Sequence, residues 1–325
     1  MAIFSSLINP TEGTSRFMCT VAFNYLFQAL GASVAIPLKT TFFYDLAAAS
    51  GFISTTIFSL FYPSFKLFAK DAWKRGLTDR ATLASFQTDL VRSFGDLSTR
   101  QVVMGGMIVI WAVRLGFFLF HRVLTHGEDS RFDAIKSNPR VFAGAWTGQA
   151  TWVFMSSMPL WIVNTIPNMG SNIPRFGSIF DWAGVITWLT GFGLEVLADH
   201  QKSVWRRAKD SKKHDERFIT SGLWSWSRHP NYVGEIILWT GPSLLSLSPL
   251  LSNLPSHPHS NYSLTNYIPL LAAFTPAIFE YLALKYATGV PPLEQIALDK
   301  FGDDRAWSEY REKVPVLFAW PGSKI

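Results

Sequence analysis

The densest run of polar and aromatic side chains in this 325-residue chain lies between Glu195 and Glu235: EVLADHQKSVWRRAKDSKKHDERFITSGLWSWSRHPNYVGE. If a helix continues through its first part, Asp199, Lys202 and Arg206 fall at i, i+3 and i+7 and share one face. One acid beside two cations suits a ligand with hydroxyls and phosphates. Arg grips phosphate through two parallel N–H bonds and Lys acts as a point charge. The same spacing also reads as a solvated face touching lipid headgroups. The second part sets Trp224, Trp226, Ser227, Arg228, His229, Asn231, Tyr232 and Glu235 around a short turn before a helix. Pro230 holds His229 away from helical backbone, and Gly234 permits close approach. Such a loop presents donors, acceptors and flat aromatic faces together. A nucleotide uses all three: Arg and His for phosphate, Asn or Glu for ribose, an aromatic face for the base. The other reading of the cluster is an interfacial anchor rich in Trp and Tyr, with His229 structural.

The elements that hold these residues are expected to lie in a membrane. Charged residues make up 16% of the chain, against roughly 25% in soluble proteins. Aromatics reach 15%, with 13 Trp and 27 Phe, more apolar surface than a soluble fold of this size can hide. Seven stretches approach the ~20 apolar residues needed to cross a bilayer: 17–38, 42–62, 102–120, 141–166, 176–197, 232–252 and 268–286. Backbone in lipid must bond to itself, so the expected fold is all-α, a polytopic transmembrane bundle of about seven spans. Asp45 and Asp181 weaken the second and fifth stretches. Arg114, Glu195, Glu235 and Glu280 lie in or near spans, where charges face a polar cavity or simply tie helices together in pairs.

The net charge of +6 comes from basic residues between apolar runs, as headgroup anchoring and positive-inside bias produce. With no basic stripe carrying a reading motif, no nucleic-acid partner is expected. Residues 198–231 hold eight Lys/Arg and the tail from Ala287 five, whereas Asn253–Tyr267 holds none. The first two, with 121–140, are placed on the cytoplasmic side. The same helix count puts 63–101 and its seven Lys/Arg on the opposite side. That conflict requires a miscounted span, or a membrane-surface or re-entrant piece. Cys19 is the only cysteine, which excludes an internal disulfide and a Cys-rich metal site; no metal is expected. The N-terminus does not read as a cleavable signal, and Gly322–Ile325 carries no retrieval signal.

SRHPNYVGE resembles the signature shared by the C-terminal region of the steroid 5-alpha-reductase family, the sterol C-14 and C-7 reductases, and the relatives grouped as DUF1295. A looser RHPxYxG pattern occurs in isoprenylcysteine carboxyl methyltransferases. YDLAAASGF, WAVRLGFFLFHR, DSRFDAIKSNP, WTGQATWVF, ADHQKSVWRR, GLWSWSRHPNYVGE and GVPPLEQIALDKFGDDRAWSEYREKVP favour the DUF1295-like branch. The resemblance covers roughly 42–320. It implies an N-terminal segment and first span over 1–41 and a reductase-like membrane domain over 42–325, with 63–101 as a polar insertion.

The resemblance further implies NADPH, held in a pocket at the cytoplasmic ends of the C-terminal helices. Lys202 and Arg206 match a QKxxFR-like pattern that meets the cofactor, and Arg228, His229, Asn231 and Tyr232 match the loop that contacts it. Glu235 matches the acidic position of the same motif; Asp199 from the helix face and Trp224 and Ser227 from the loop complete the cofactor-binding candidates, with Glu294 where the usual upstream Arg-x-x-Asp/Glu is altered to Val290-Pro291-Pro292-Leu293-Glu294. The tail FGDDRAWSEYREKVP is similar to the family's closing lid. The expected activity is NADPH-dependent reduction of a carbon–carbon double bond in a lipid-soluble substrate (sterol-, enone- or fatty-acyl-like). Glu195 and Glu235 are the acidic catalytic candidates. The expected location is the endoplasmic reticulum. An S-adenosylmethionine-dependent methyltransferase and a catalytically inactive scaffold of the same fold are the alternatives.

Overall fold

A computed structural model describes residues 12–127, 132, 133, 135–166, 174–254 and 267–318. The N-terminal segment before Glu12, part of DSRFDAIKSNP, most of the loop Asn253–Tyr267 and the end Gly322–Ile325 lie outside the described residues.

All regular structure among the described residues is helical. Helices α1 (Gly13–Leu38), α2 (Tyr44–Leu60), α3 (Tyr62–Arg75), α4 (Arg80–Gly95), α5 (Thr99–His126) and α6 (Pro139–Val163) are followed by α7 (Ile179–Asp210). A 3₁₀ turn (Gly222–Ser225) then leads to α8 (Pro230–Ser252), α9 (Ile268–Ala272), α10 (Thr275–Tyr286), α11 (Val290–Phe301) and α12 (Arg305–Lys313). Each of the seven apolar stretches therefore carries helix. Three helical stretches, Gly13–Leu38, Thr99–Thr125 and Ile268–Phe301, are long and apolar enough to cross a membrane. A fourth is added if α2 and α3, bent by 81°, form one broken span. These helices are consistent with a multi-pass integral membrane protein. α6 carries Gln149, Ser156 and Ser157, and α8 carries Ser243, Ser246 and Ser248, all buried inside the protein.

The chain divides into two units, Met1–Asp181 with Leu245–Thr275, and Trp182–Leu244 with Pro276–Ile325. In the first, amide side chains join helices where water is excluded. Asn24 Nδ2 donates to Ala150 O at 2.7 Å, and Gln149 Nε2 to Gln28 Oε1 at 2.8 Å. Between α2 and α5, a Cβ on Gly116 would stand 2.5 Å from Ala49 Cβ, so the glycine sets the closeness of that crossing. Asp181, expected only to weaken a span, accepts bidentate bonds from Arg100 at 2.7 and 2.9 Å. Gly177 N, Ser178 N and Ser178 Oγ donate to the same carboxylate at 2.8–3.0 Å. Asp45 faces Arg122 at 3.4 Å. Arg114 holds its guanidinium over the Phe118 ring, 5.4 Å from the centroid.

The sharp bend at Phe61 strips intrahelical partners from the last carbonyls of α2. Arg16 replaces them, donating from Nε to Ser59 O at 2.7 Å and from Nη2 to Leu60 O at 2.9 Å. Each charge-assisted bond contributes roughly 1.5–3 kcal/mol. Arg16→Ala is expected to lower the thermal unfolding midpoint in detergent clearly, and Arg16→Lys to restore only part of the loss.

Candidate functional site

In the second unit α7 and α8 cross at glycines. A Cβ on Gly191 would stand 2.6 Å from Gly234 O, and one on Gly234 would stand 2.5 Å from Glu195 N. Gly241 faces Gly184 O in the same manner, at 2.7 Å. The obstacles are backbone atoms, which cannot rotate away. This contact brings the two ends of the polar segment together: Glu195 is buried on α7, and Glu235 is half-buried on α8 beside Gly234.

α7 runs unbroken to Asp210, so Asp199, Lys202 and Arg206 lie on one continuous helix. Buried Asp199 accepts a bond from Asn231 Nδ2 at 3.3 Å. Lys202 Nζ sits 4.5 Å from the Trp224 ring centroid, a cation–π contact. Arg206 is exposed. Trp224 is buried, and its Nε1 donates to Ala198 O at 3.2 Å. Gln201, which the sequence did not single out, accepts Leu223 N at 2.9 Å through Oε1. Gly222 lies against that side chain with φ +63°, where a Cβ would be both strained and 2.6 Å from Gln201 Oε1.

The loop then turns into α8. Pro230 is its first residue, where a missing N–H costs nothing. Ser227 Oγ accepts His229 N at 3.2 Å. Arg228 and His229 converge on one carboxylate from α11: Arg228 Nη1 donates to Glu294 Oε2 at 2.6 Å, and His229 Nε2 lies 3.0 Å from Glu294 Oε1. An ionised carboxylate only accepts, so Nε2 carries the hydrogen. Arg311 Nε stands 3.9 Å from Glu294 Oε2. The His229 ring stacks on Tyr232 at 5.4 Å and 11°.

Burial drives the electrostatics. It pushes the Arg228 guanidinium below its ordinary value, against the pull of Glu294. It also pushes His229 below its ordinary value of 6.5, outweighing the bond to Glu294, so the ring is neutral near pH 7. A base held low in the folded state contributes stability above its unfolded pKa. That stability is lost as pH falls from about 6.5 through the folded value. Thermal unfolding is therefore expected at progressively lower temperature below pH 6.5, and His229→Gln should flatten that dependence.

The C-terminal tail closes over this corner. Trp307, Tyr310 and Val314 are buried and pack with Phe218 and Phe301. Tyr310 OH donates to Trp224 O at 2.6 Å, Arg228 N to Pro315 O at 3.0 Å, and Ser227 Oγ to Val316 O at 3.2 Å. Among the expected residues, Asp199 meets Asn231, Lys202 meets Trp224, and Arg228 and His229 meet Glu294. Arg311 and Tyr310 join them without having been singled out. Their signal was the tail's Trp, Tyr and basic residues.

Three comparisons bear on this geometry. A family model described as a protein of unknown function (DUF1295) matches residues 72–314. An uncharacterized protein of Schizosaccharomyces pombe is 26% identical over 152 residues, covering 42% of this chain and 42% of that protein. The chain thus spans less than half the length of this curated relative. No solved structure matches.

Proposed function

This chain belongs to the DUF1295 family, and on that premise we propose that it is an NADPH-dependent reductase of a carbon–carbon double bond in a lipid-soluble substrate. About seven of its apolar stretches cross the endoplasmic reticulum membrane in this reading, with the cofactor pocket at the cytoplasmic ends of the C-terminal helices. The observation that carries it is the convergence of cations, ribose-type partners and flat rings in one unit: Lys202 on Trp224, Asn231 on Asp199, and Arg228 with His229 on Glu294.

The residues present fit a dinucleotide phosphate. Lys202, Arg206 and Arg228 would bind phosphate, Asn231 and Asp199 would bind ribose hydroxyls, and the Trp224 and Tyr232 faces would orient a ring. NADPH, when bound, supplies hydride to one alkene carbon. Glu195 or Glu235 delivers the proton to the other, so the bond gains two hydrogens in all. To hold phosphate, Arg228 would have to give up its bond to Glu294. Arg311, 3.9 Å from Glu294, would then keep that carboxylate paired.

One observation favours a second reading, an inactive scaffold: Glu294 already neutralises Arg228 and bonds His229. Lipid profiling of cells lacking the protein separates the two. The reductase leaves an unsaturated sterol, fatty-acyl or isoprenoid precursor to accumulate, and an unchanged profile in all three classes counts against it.

A further inference from the structure

We propose that α3 and α4 form an in-plane hairpin that lies in the headgroup layer of an anionic membrane leaflet, with its apolar side chains in the acyl boundary and its basic side chains on lipid phosphate. The hairpin has its own small interior. Ser64 Oγ donates to Asp89 O at 2.9 Å and lies 2.7 Å from Ser93 Oγ, while Phe65 and Phe68 meet Phe86 at 5.5 and 4.6 Å. Asp79 caps α4 by accepting Thr82 N at 2.9 Å.

What that interior leaves outside is unlike a water-facing surface. Trp73 is 92% exposed, Val91 75%, Leu77 66% and Phe94 64%. On α4, Leu83, Val91 and Phe94 fall at i, i+8 and i+11, within one stripe of the helix. On α3, Lys66, Lys70 and Trp73 fall at i, i+4 and i+7, so two cations share a face with an exposed indole. Residues 62–95 hold six Lys/Arg against three Asp. Apolar side chains beside Lys and Arg on one short helix pair are the pattern of an interfacial element.

Both ends of the hairpin are tied closely to apolar helices. Its first helix departs from α2 at the 81° bend, and only three residues separate α4 from α5, an apolar helix long enough to cross. The corner is fixed by the Arg16 bonds and by Ser15 Oγ to Tyr62 OH at 2.7 Å. A basic segment in the interface accounts for the charge of 63–101, which no count of spans placed comfortably.

The test uses the full chain carrying Cys19→Ser, with a nitroxide on Val91→Cys or Phe94→Cys, in phosphatidylcholine vesicles with and without phosphatidylserine. Lys213→Cys serves as the aqueous reference. Expected is a severalfold lower collision rate with a water-soluble nickel chelate than at the reference, deeper shielding with phosphatidylserine, and loss of that extra shielding in Lys66→Glu/Lys70→Glu/Lys74→Glu. Collision rates equal to the reference would overturn the proposal. So would shielding that disappears when the protein is diluted in lipid, which would mark contact with a second copy.

Discussion

Arg100→Met is expected to destabilise the protein by about 3–5 kcal/mol, the cost of leaving a buried carboxylate without its cation. The Arg100 side chain is 2% exposed and that of Asp181 0%, so water cannot take the place of the two N–H bonds at 2.7 and 2.9 Å. The three remaining donors, from Gly177 and Ser178, satisfy lone pairs but carry no net charge. Removing both charges is a different matter. Arg100→Met with Asp181→Asn removes both charges, keeps an amide oxygen for the Gly177 and Ser178 donors, and should recover most of the loss. Reversible unfolding in detergent and denaturant reads the four corners of this cycle. A single-mutant loss under about 1 kcal/mol would mean that the pair is hydrated and unimportant.

Glu294→Ala carries the second large effect, and it joins stability to ligand binding. Arg228, its side chain 2% exposed, loses its carboxylate while Arg311 stays near. The expected destabilisation is again about 3–5 kcal/mol. Unlike the first case, a ligand can repair it. An added phosphate-bearing nucleotide would occupy the vacated Arg228 fork and stabilise the folded state by mass action. NADPH is therefore expected to raise the unfolding temperature of Glu294→Ala more than that of the wild type, with no effect on Arg228→Ala/Glu294→Ala. Equal NADPH shifts in wild type and Glu294→Ala would separate the carboxylate from the cofactor site.

These two sites show where sequence stops informing. Helix over each apolar stretch was legible, because apolar length and backbone self-satisfaction leave little else. The continuation of α7 to Asp210 meets the condition under which Asp199, Lys202 and Arg206 share one face, a condition that the sequence posed without deciding it. Local chemistry carried the loop as well: Pro230 opens α8 and Gly234 admits α7. Partners distant in the chain were not legible. Arg100 and Asp181 are 81 residues apart, and Arg228 and Glu294 are 66 apart, with no periodicity linking either pair. The bend at Phe61 was hidden for another reason. Phe42–Tyr62 reads as one apolar run to its end, and Pro63 fits the first turn of a new helix as readily as a loop. Glu294 shows the same limit. The altered Val290–Glu294 run marked a departure from the family pattern but not its geometry, the start of α11, whose fifth residue delivers a carboxylate to Arg228 and His229.

Cofactor binding by the purified, detergent-solubilised full chain tests the reductase reading most directly, with NADPH and S-adenosylmethionine titrated in parallel against wild type and Arg228→Ala. The expected result is saturable NADPH binding that Arg228→Ala abolishes, without comparable binding of S-adenosylmethionine. Binding of S-adenosylmethionine without NADPH would contradict it in favour of a methyltransferase, and binding of neither would contradict it in favour of a scaffold.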